Sequence, residues 1–332
     1  MSDVVAAVAW GGLTLYAVFG GADFGAGSWD LLAGRSAQGA QARRLIDFAI
    51  GPVWEANHVW LIFLLVVMWT GFPSAFAAIM STLFVPLSLA ALGIVLRGSG
   101  FAFRRSASGR GERVATLAFA TSSVLTPLFL GAALGGVASG RVPVGNAAGD
   151  AITSWVNPTS AVVGVLAVVA GAYLAAVFLV ADAQRVGDEE LERYFAVRAI
   201  GAALVAGVVA AAGLAVLSFD ADYVFDRLVR EALPLVLASG LFGAANLAVL
   251  WRGGRLGTRA LAIGAVVTVI WAWGVAQHPY LLPKSLTISA AAASHTTLVW
   301  LVAVVACALV TVVPALALLY ALDQRSLLEE TR

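Results

Sequence analysis

The chain has 332 residues, 61% of them hydrophobic and 12% charged, with a mean hydropathy of +0.92 and a net charge of +1. Soluble domains average about 45–50% apolar and about 25% charged residues, so the composition excludes an ordinary soluble domain, and the balanced charge gives no reason to expect a nucleic-acid partner. The single cysteine, Cys307, excludes an internal disulfide framework and a cysteine-rich metal site.

A transmembrane helix takes roughly 20 apolar residues, within about 17–25. Such runs occur nine times, at about 4–22, 53–71, 74–97, 114–137, 159–182, 195–218, 232–251, 257–276 and 296–322. The expected fold is an all-α polytopic membrane protein with nine transmembrane helices in a single domain, residues 1–332. The first five residues lack the positive segment of a signal peptide, so the first run is expected to stay as a span. With the N-terminus outside, the inner loops carry Arg35, Arg43, Arg44, Arg97, Arg104, Arg105, Arg110 and Arg113. They continue with Arg185, Arg193, Arg198, Arg252, Arg255 and Arg259, and the tail adds Arg325 and Arg332. Only Arg141, Arg227, Arg230 and Lys284 fall outside. The positive-inside rule therefore supports an outer N-terminus and a cytoplasmic C-terminus.

Span 1 ends in Gly21-Ala-Asp-Phe-Gly-Ala-Gly27. Gly21 and Gly25 form a small-xxx-small pair that lets a neighbouring helix come close. Asp23, at the inner end of this span, reads either as a solvated helix-end carboxylate or, given the glycines around it, as a packed one. Arg43, Arg44 and Asp47 have the spacing of an interfacial helix leading into Gly51-Pro-Val-Trp-Glu-Ala-Asn-His-Val-Trp-Leu61. Pro52 suits the first turn of span 2. On that helix Glu55 and His58 share a face, while Asn57 points elsewhere. Polar groups on both sides make span 2 an interior or subunit-interface helix. Span 3 contains Pro86, and the basic loop from Arg97 to Arg113 reads as a topology determinant. The outer loop ends in Trp155-Val-Asn-Pro158, its tryptophan suited to the aromatic belt. Val180-Ala-Asp-Ala-Gln184 faintly echoes Ala22-Asp23, so residues 1–137 and 159–276 read as a weak pseudo-repeat with 296–322 as an extra peripheral helix. Asn246 is expected to bond a neighbouring helix. The segment from His278 to His295 is too rich in fixed turns for a floppy linker.

No phosphate loop, nucleophile elbow, CxxC or HExxH motif is present. Haem inside a bundle needs facing axial His or Met ligands, and His58 has no obvious partner. Glu55-x-x-His58 has half of a di-iron pattern, but the pattern needs a second copy and further embedded glutamates. An embedded carboxylate costs about 2.5–3.5 kcal/mol on insertion scales. Spacing leaves open two explanations for Glu55: a proton relay continued by His58, or a structural pair with an arginine such as Arg44.

The block Gly51 to Leu61 resembles the G-P-x-W-[DE]-x-N-x-V-W-L signature of subunit II of cytochrome bd-type quinol oxidases. Three further segments agree in order: Gly21-Ala-Asp-Phe-Gly25, Pro279-Tyr-Leu-Leu-Pro283 through Ser285-Leu-Thr287, and Trp155-Val-Asn-Pro158. The resemblance spans nearly the whole chain. It implies nine helices as two four-helix bundles plus one peripheral helix, in a bacterial cell (inner) membrane. It implies no cofactor in this chain, with haem b and haem d in a partner subunit I, which forms a heterodimer with it and oxidises quinol while reducing dioxygen to water. A small single-span subunit, a bound quinone and membrane lipids are further partners the family admits. By the same resemblance Glu55 and Asp23 lie on a cytoplasmic proton path, and Trp60, with Trp54 and Asn57, lies near an oxygen path or the subunit interface. A role for His58 in that path rests on spacing alone. The rival readings are a proton-coupled secondary transporter, which should show duplicated broken helices, and a purely structural assembly subunit.

Overall fold

The structure, a computed structural model, describes residues 1–34, 36–50, 54–104, 108–254 and 256–324, without the side chains of 50, 54–56, 104, 313, 316 and 319–324. It is built almost wholly of helices: α1 (Ser2–Leu32), α2 (Ala37–Ile50), α3 (Trp54–Gly71), α4 (Pro73–Thr82), α5 (Phe84–Arg104) and α6 (Arg110–Ala138). They are followed by α7 (Pro158–Arg185), α8 (Glu189–Asp220), α9 (Asp222–Arg230), α10 (Leu233–Trp251) and α11 (Thr258–Gln277). A hairpin of β1 (Tyr280–Leu282) and β2 (Leu286–Thr287), the single turn α12 (Ile288–Ala291) and the long α13 (His295–Gln324) complete the chain. Among the described residues eight helices are long and apolar enough to cross a membrane: α1, α5, α6, α7, α8, α10, α11 and α13. The expected second span corresponds to α3, an 18-residue helix whose described side chains, Asn57–Gly71, are mostly apolar.

Local chemistry sets the helix ends. Asn157 caps α7, accepting from the Ser160 N–H, and Pro158 takes the first helical position, where its missing N–H is no loss. Asp188 caps α8 by accepting from the N–H groups of Glu190 and Leu191. Between α3 and α4 the helix is interrupted at Phe72, whose backbone is non-helical and whose side chain is fully buried, with Pro73 opening the next helix.

The third expected span is corrected. Residues 74–97 do not form one helix, because the chain breaks at Leu83 and restarts at Phe84. The membrane-length helix is α5, running on to Arg104. Pro86 therefore sits at its third position, where no intrahelical N–H bond is lost. Span 1 is corrected too. It reaches Leu32, two turns and more past Asp23, so Asp23 lies inside the helix and not at its end. The placement of Pro52 lies outside the described residues.

Helix α1 is the spine of the packing, in contact with α3, α6, α7 and α11. The sequential neighbours α5–α6, α6–α7, α7–α8 and α10–α11 also pack, and α11 returns to α7. Helix α13 lies against α3 and α1 and leaves Trp300, Val304 and Val310 exposed. Ionic contacts tie each end of the bundle. At the end that holds the N-terminus, Arg141 pairs with Asp220 (2.6 Å), Lys284 with Asp222 (3.0 Å) and His278 with Asp3 (3.6 Å). At the opposite end Arg259 pairs with Asp182 (2.7 Å) and Gln38 bonds Glu190 (2.9 Å). The expected ordered segment after His278 is the β1–β2 hairpin and α12, and the Ala293 N–H donates to the Gly71 carbonyl. Asn246 bonds a neighbouring helix as expected, donating to the Tyr173 hydroxyl on α7.

Candidate functional site

Small residues bring three helices together around Asp23. A Cβ on Gly25 would overlap the Gly171 carbonyl on α7, and one on Gly27 would overlap the Ser123 side chain on α6. The small-xxx-small pair at Gly21 and Gly25 thus does what its spacing predicts, with α7 as the neighbour. Trp29 locks the same crossing by donating Nε1–H to the Ala172 carbonyl at 2.8 Å. Gly93 and Gly100 do likewise for α5 against α6, where Cβ atoms would meet Thr126 Oγ1 and the Ala115 carbonyl. They bracket Arg97 by about one turn on either side.

Arg97 is corrected from a loop determinant to an interior residue. Its side chain is 1% exposed and pairs with that of Asp23, 2% exposed, through Nη2 and Oδ1 at 2.8 Å. The same Nη2 donates to the Asp23 carbonyl at 3.0 Å, and Nε donates to Ser123 Oγ at 3.1 Å. Ser123 in turn donates to the Phe119 carbonyl. The guanidinium carbon lies 5.0 Å from the Phe24 ring centre and 4.9 Å from that of Phe119, positions in which the ring quadrupole attracts a cation. Removing one partner of a buried, hydrogen-bonded pair costs about 3–5 kcal/mol, because the other charge is stranded.

His58 joins this cluster from α3. Its imidazole stacks on Phe24 at 5.9 Å and takes the Tyr16 ring edge-on at 6.2 Å. Tyr16 opens a π-helical stretch, Tyr16–Gly20, and its ring occupies the space that a side chain at position 20 would need. Such single-turn π segments occur mostly at functional sites. The Tyr16 hydroxyl, Asp23 Oδ2 and His58 Nδ1 are buried and make no hydrogen bond among the described residues.

The structure thus unites two of the three expected proton-path residues, Asp23 and His58. Glu55 lies on the backbone of α3 one turn before His58, but its side chain and that of Trp54 lie outside the described residues. Asn57 is 4% exposed, and Trp60 is half-buried with its ring edge-on to Phe63 at 6.3 Å. Sequence reasoning missed Arg97, Tyr16 and Ser123. A signal for Arg97 existed: the stretch after it, Gly98-Ser-Gly-Phe-Ala-Phe103, is uncharged, so the arginine is flanked by membrane-compatible sequence on both sides. Tyr16 and Ser123 carry no such mark.

The echo of Asp23 in Asp182 leads elsewhere. Asp182 pairs with Arg259 on α11, and with Arg185 one turn on, whereas the partner of Asp23 comes from α5. The two pairs thus occupy different positions in the helix order.

The site does not fit haem. His58 is flanked by two aromatic rings, with no described His or Met facing it as a second axial ligand, and no three described His, Cys, Asp or Glu side chains converge as a metal site.

A sequence model of the family described as cytochrome bd terminal oxidase subunit II matches residues 1–322. Two proteins of Bacillus subtilis (strain 168) are similar over part of their length. One, provisionally named cytochrome bd menaquinol oxidase subunit II, is 26% identical over 32% of this chain and 31% of its own. The other, cytochrome bd ubiquinol oxidase subunit 2, is 33% identical over 25% of this chain and 24% of its own. The matched segments thus span a third or less of these relatives. A chain of the solved structure of bd oxidase from Geobacillus thermodenitrificans superposes with a TM-score of 0.76 at 28% identity, covering 97% of this chain and 98% of that one.

Proposed function

The chain belongs to the cytochrome bd terminal oxidase subunit II family, and on that premise we propose that it is the haem-free subunit of a membrane-bound quinol:oxygen oxidoreductase. The observation that carries this reading is the end-to-end likeness to the bd oxidase chain from Geobacillus, at 28% identity. The partner is a haem-bearing subunit I, in which quinol is oxidised and dioxygen reduced. The absence of paired axial ligands around His58, among the described residues, is in keeping with haems held elsewhere in the complex.

In the bilayer the chain crosses nine times, α3 being the second span and adding to the eight of membrane length, in a bacterial cell membrane with the N-terminus outside and the C-terminus in the cytoplasm. The placement of 15 of the 20 basic residues, the interior Arg97 no longer counted, supports that orientation. The contacts of α7 with α8, of α10 with α11 and of α11 with α7 support a second four-helix bundle. The first comprises α1, α3, α5 and α6, with α13 peripheral.

Within this subunit Glu55, Asp23 and His58 line a route that brings protons from the cytoplasm towards the partner. Trp54, Asn57 and Trp60 lie along the same helix and serve the subunit interface or oxygen entry. Support for the route comes from buried polar atoms of Tyr16, Asp23 and His58 gathered where α1, α3 and α5 meet. Glu55→Ala should lower quinol-dependent oxygen uptake about 100-fold, the low end of what a positioned proton-transfer group contributes, while the haem spectrum of the purified complex stays intact. Full turnover in that variant would leave the subunit with an assembly role only.

A further inference from the structure

We propose that Arg97 is a positioning residue that holds Asp23 as a fixed carboxylate, so that Asp23 organises the proton route without itself carrying the proton. The inference rests on the proton-route reading above and refines the part that Asp23 plays in it. An arginine side chain does not give up its proton in a protein. Here its charge is sealed from solvent, with one terminal nitrogen bound to both the carboxylate and the carbonyl of Asp23.

The remaining described neighbours of the guanidinium supply no negative charge. Phe24 and Phe119 present ring faces, and the Ser123 hydroxyl proton is already committed to the Phe119 carbonyl. On α1 the pair is faced by Tyr16, and on α3 by His58, a phenol and an imidazole, neither of which carries a negative charge in its ordinary form. Helix α7 meets α1 at the Gly171 backbone. Asp23 is thus the single countercharge of Arg97 among the described residues, and a proton arriving on it would take away the anion directly bonded to the guanidinium. Asp23 Oδ2, which has no partner among the described residues, instead stays an acceptor, and the Tyr16 hydroxyl and His58 Nδ1, on rings that touch each other, are likewise unbonded there. A proton can be handed between groups there without the carboxylate being neutralised.

The test uses the complete oxidase purified with its haem-bearing partner, reading oxygen uptake and haem spectrum together. Asp23→Asn alone strands Arg97 and should lower turnover by about tenfold or more. Asp23→Asn combined with Arg97→Gln removes both charges, and turnover should return to within about threefold of the wild-type complex, the non-additivity of a coupled pair. A double variant as inactive as Asp23→Asn, with its haems intact, overturns the proposal, because the carboxyl itself is then required. Infrared difference spectra decide the matter where variants assemble poorly. The wild-type complex should show no protonated-carboxyl band that disappears in Asp23→Asn or shifts in Asp23→Glu. Arg97→Gln should gain one. Such a band in the wild-type complex overturns the proposal whatever the turnover. Glu55→Ala, measured in parallel, separates the two readings: full turnover there removes the route, whereas its loss together with rescue in the double variant supports both.

Discussion

The guanidinium of Arg97 touches a carboxylate, a backbone carbonyl, a serine hydroxyl and two aromatic rings. A lysine could not reproduce this, since its ammonium lacks the planar fork and the flat face. Arg97→Lys should keep the charge yet lower the thermal midpoint of the purified complex, by the loss of about two hydrogen bonds to a charged group, each worth about 1.5–3 kcal/mol. An unchanged midpoint would show the contacts around the guanidinium to be dispensable. Asp23 and His58 were legible in the sequence because a carboxylate between glycines and an imidazole after tryptophan are conspicuous in apolar surroundings. Arg97 was not, because an arginine beside a basic loop looks like part of it. Only the tertiary partner, 74 positions away, distinguishes the two. Tyr16 and Ser123 are residue types at home in any membrane helix, so nothing local marks them.

Helices meet here through what their sequences leave out. Gly25 admits the backbone of α7 so closely that any side chain must part the two helices. Gly25→Leu should overpack the crossing by at least the 1–3 kcal/mol typical of extra methylenes in a full core and lower the yield of complex, with Gly201→Leu, which faces open space, as the silent control. Helix existence and order were readable from hydropathy, apart from the third span. There the apolar run conceals a break at Leu83, which no proline or glycine announces: the nearest proline, Pro86, marks the start of the new helix and not a bend within one. At the other end of the chain the β1–β2 turn is pinned by Lys284 to Asp222. The Lys284 hydrogen bond, then the Tyr223 N–H, holds the Asp222 carboxyl below the usual carboxylate range. A depressed carboxyl contributes above its unfolded value and is lost as pH falls through the folded one. Amide protection in the hairpin at Tyr280–Thr287, corrected for the intrinsic exchange rate, should therefore hold from neutral pH down to about 4, the unfolded carboxyl value, and fall only below it, and Asp222→Asn should abolish that fall.

At the scale of the molecule, the buried charges of Asp23 and Arg97 meet across helices, as Asp182 meets Arg259. That has a consequence for synthesis. Helices enter a bilayer in the order in which they are made, and a charged side chain at the centre of a span costs about 2.5–3.5 kcal/mol to insert. Asp23 leaves the ribosome with the first helix, whereas Arg97 follows 74 residues later with α5. Through that interval the first helix carries an unmatched carboxylate, and α5 in turn inserts at lower cost if the first is still beside it. The ion pair can form only once α5 has been made, so it ties the first helix to a later one and not to its immediate successor in the chain.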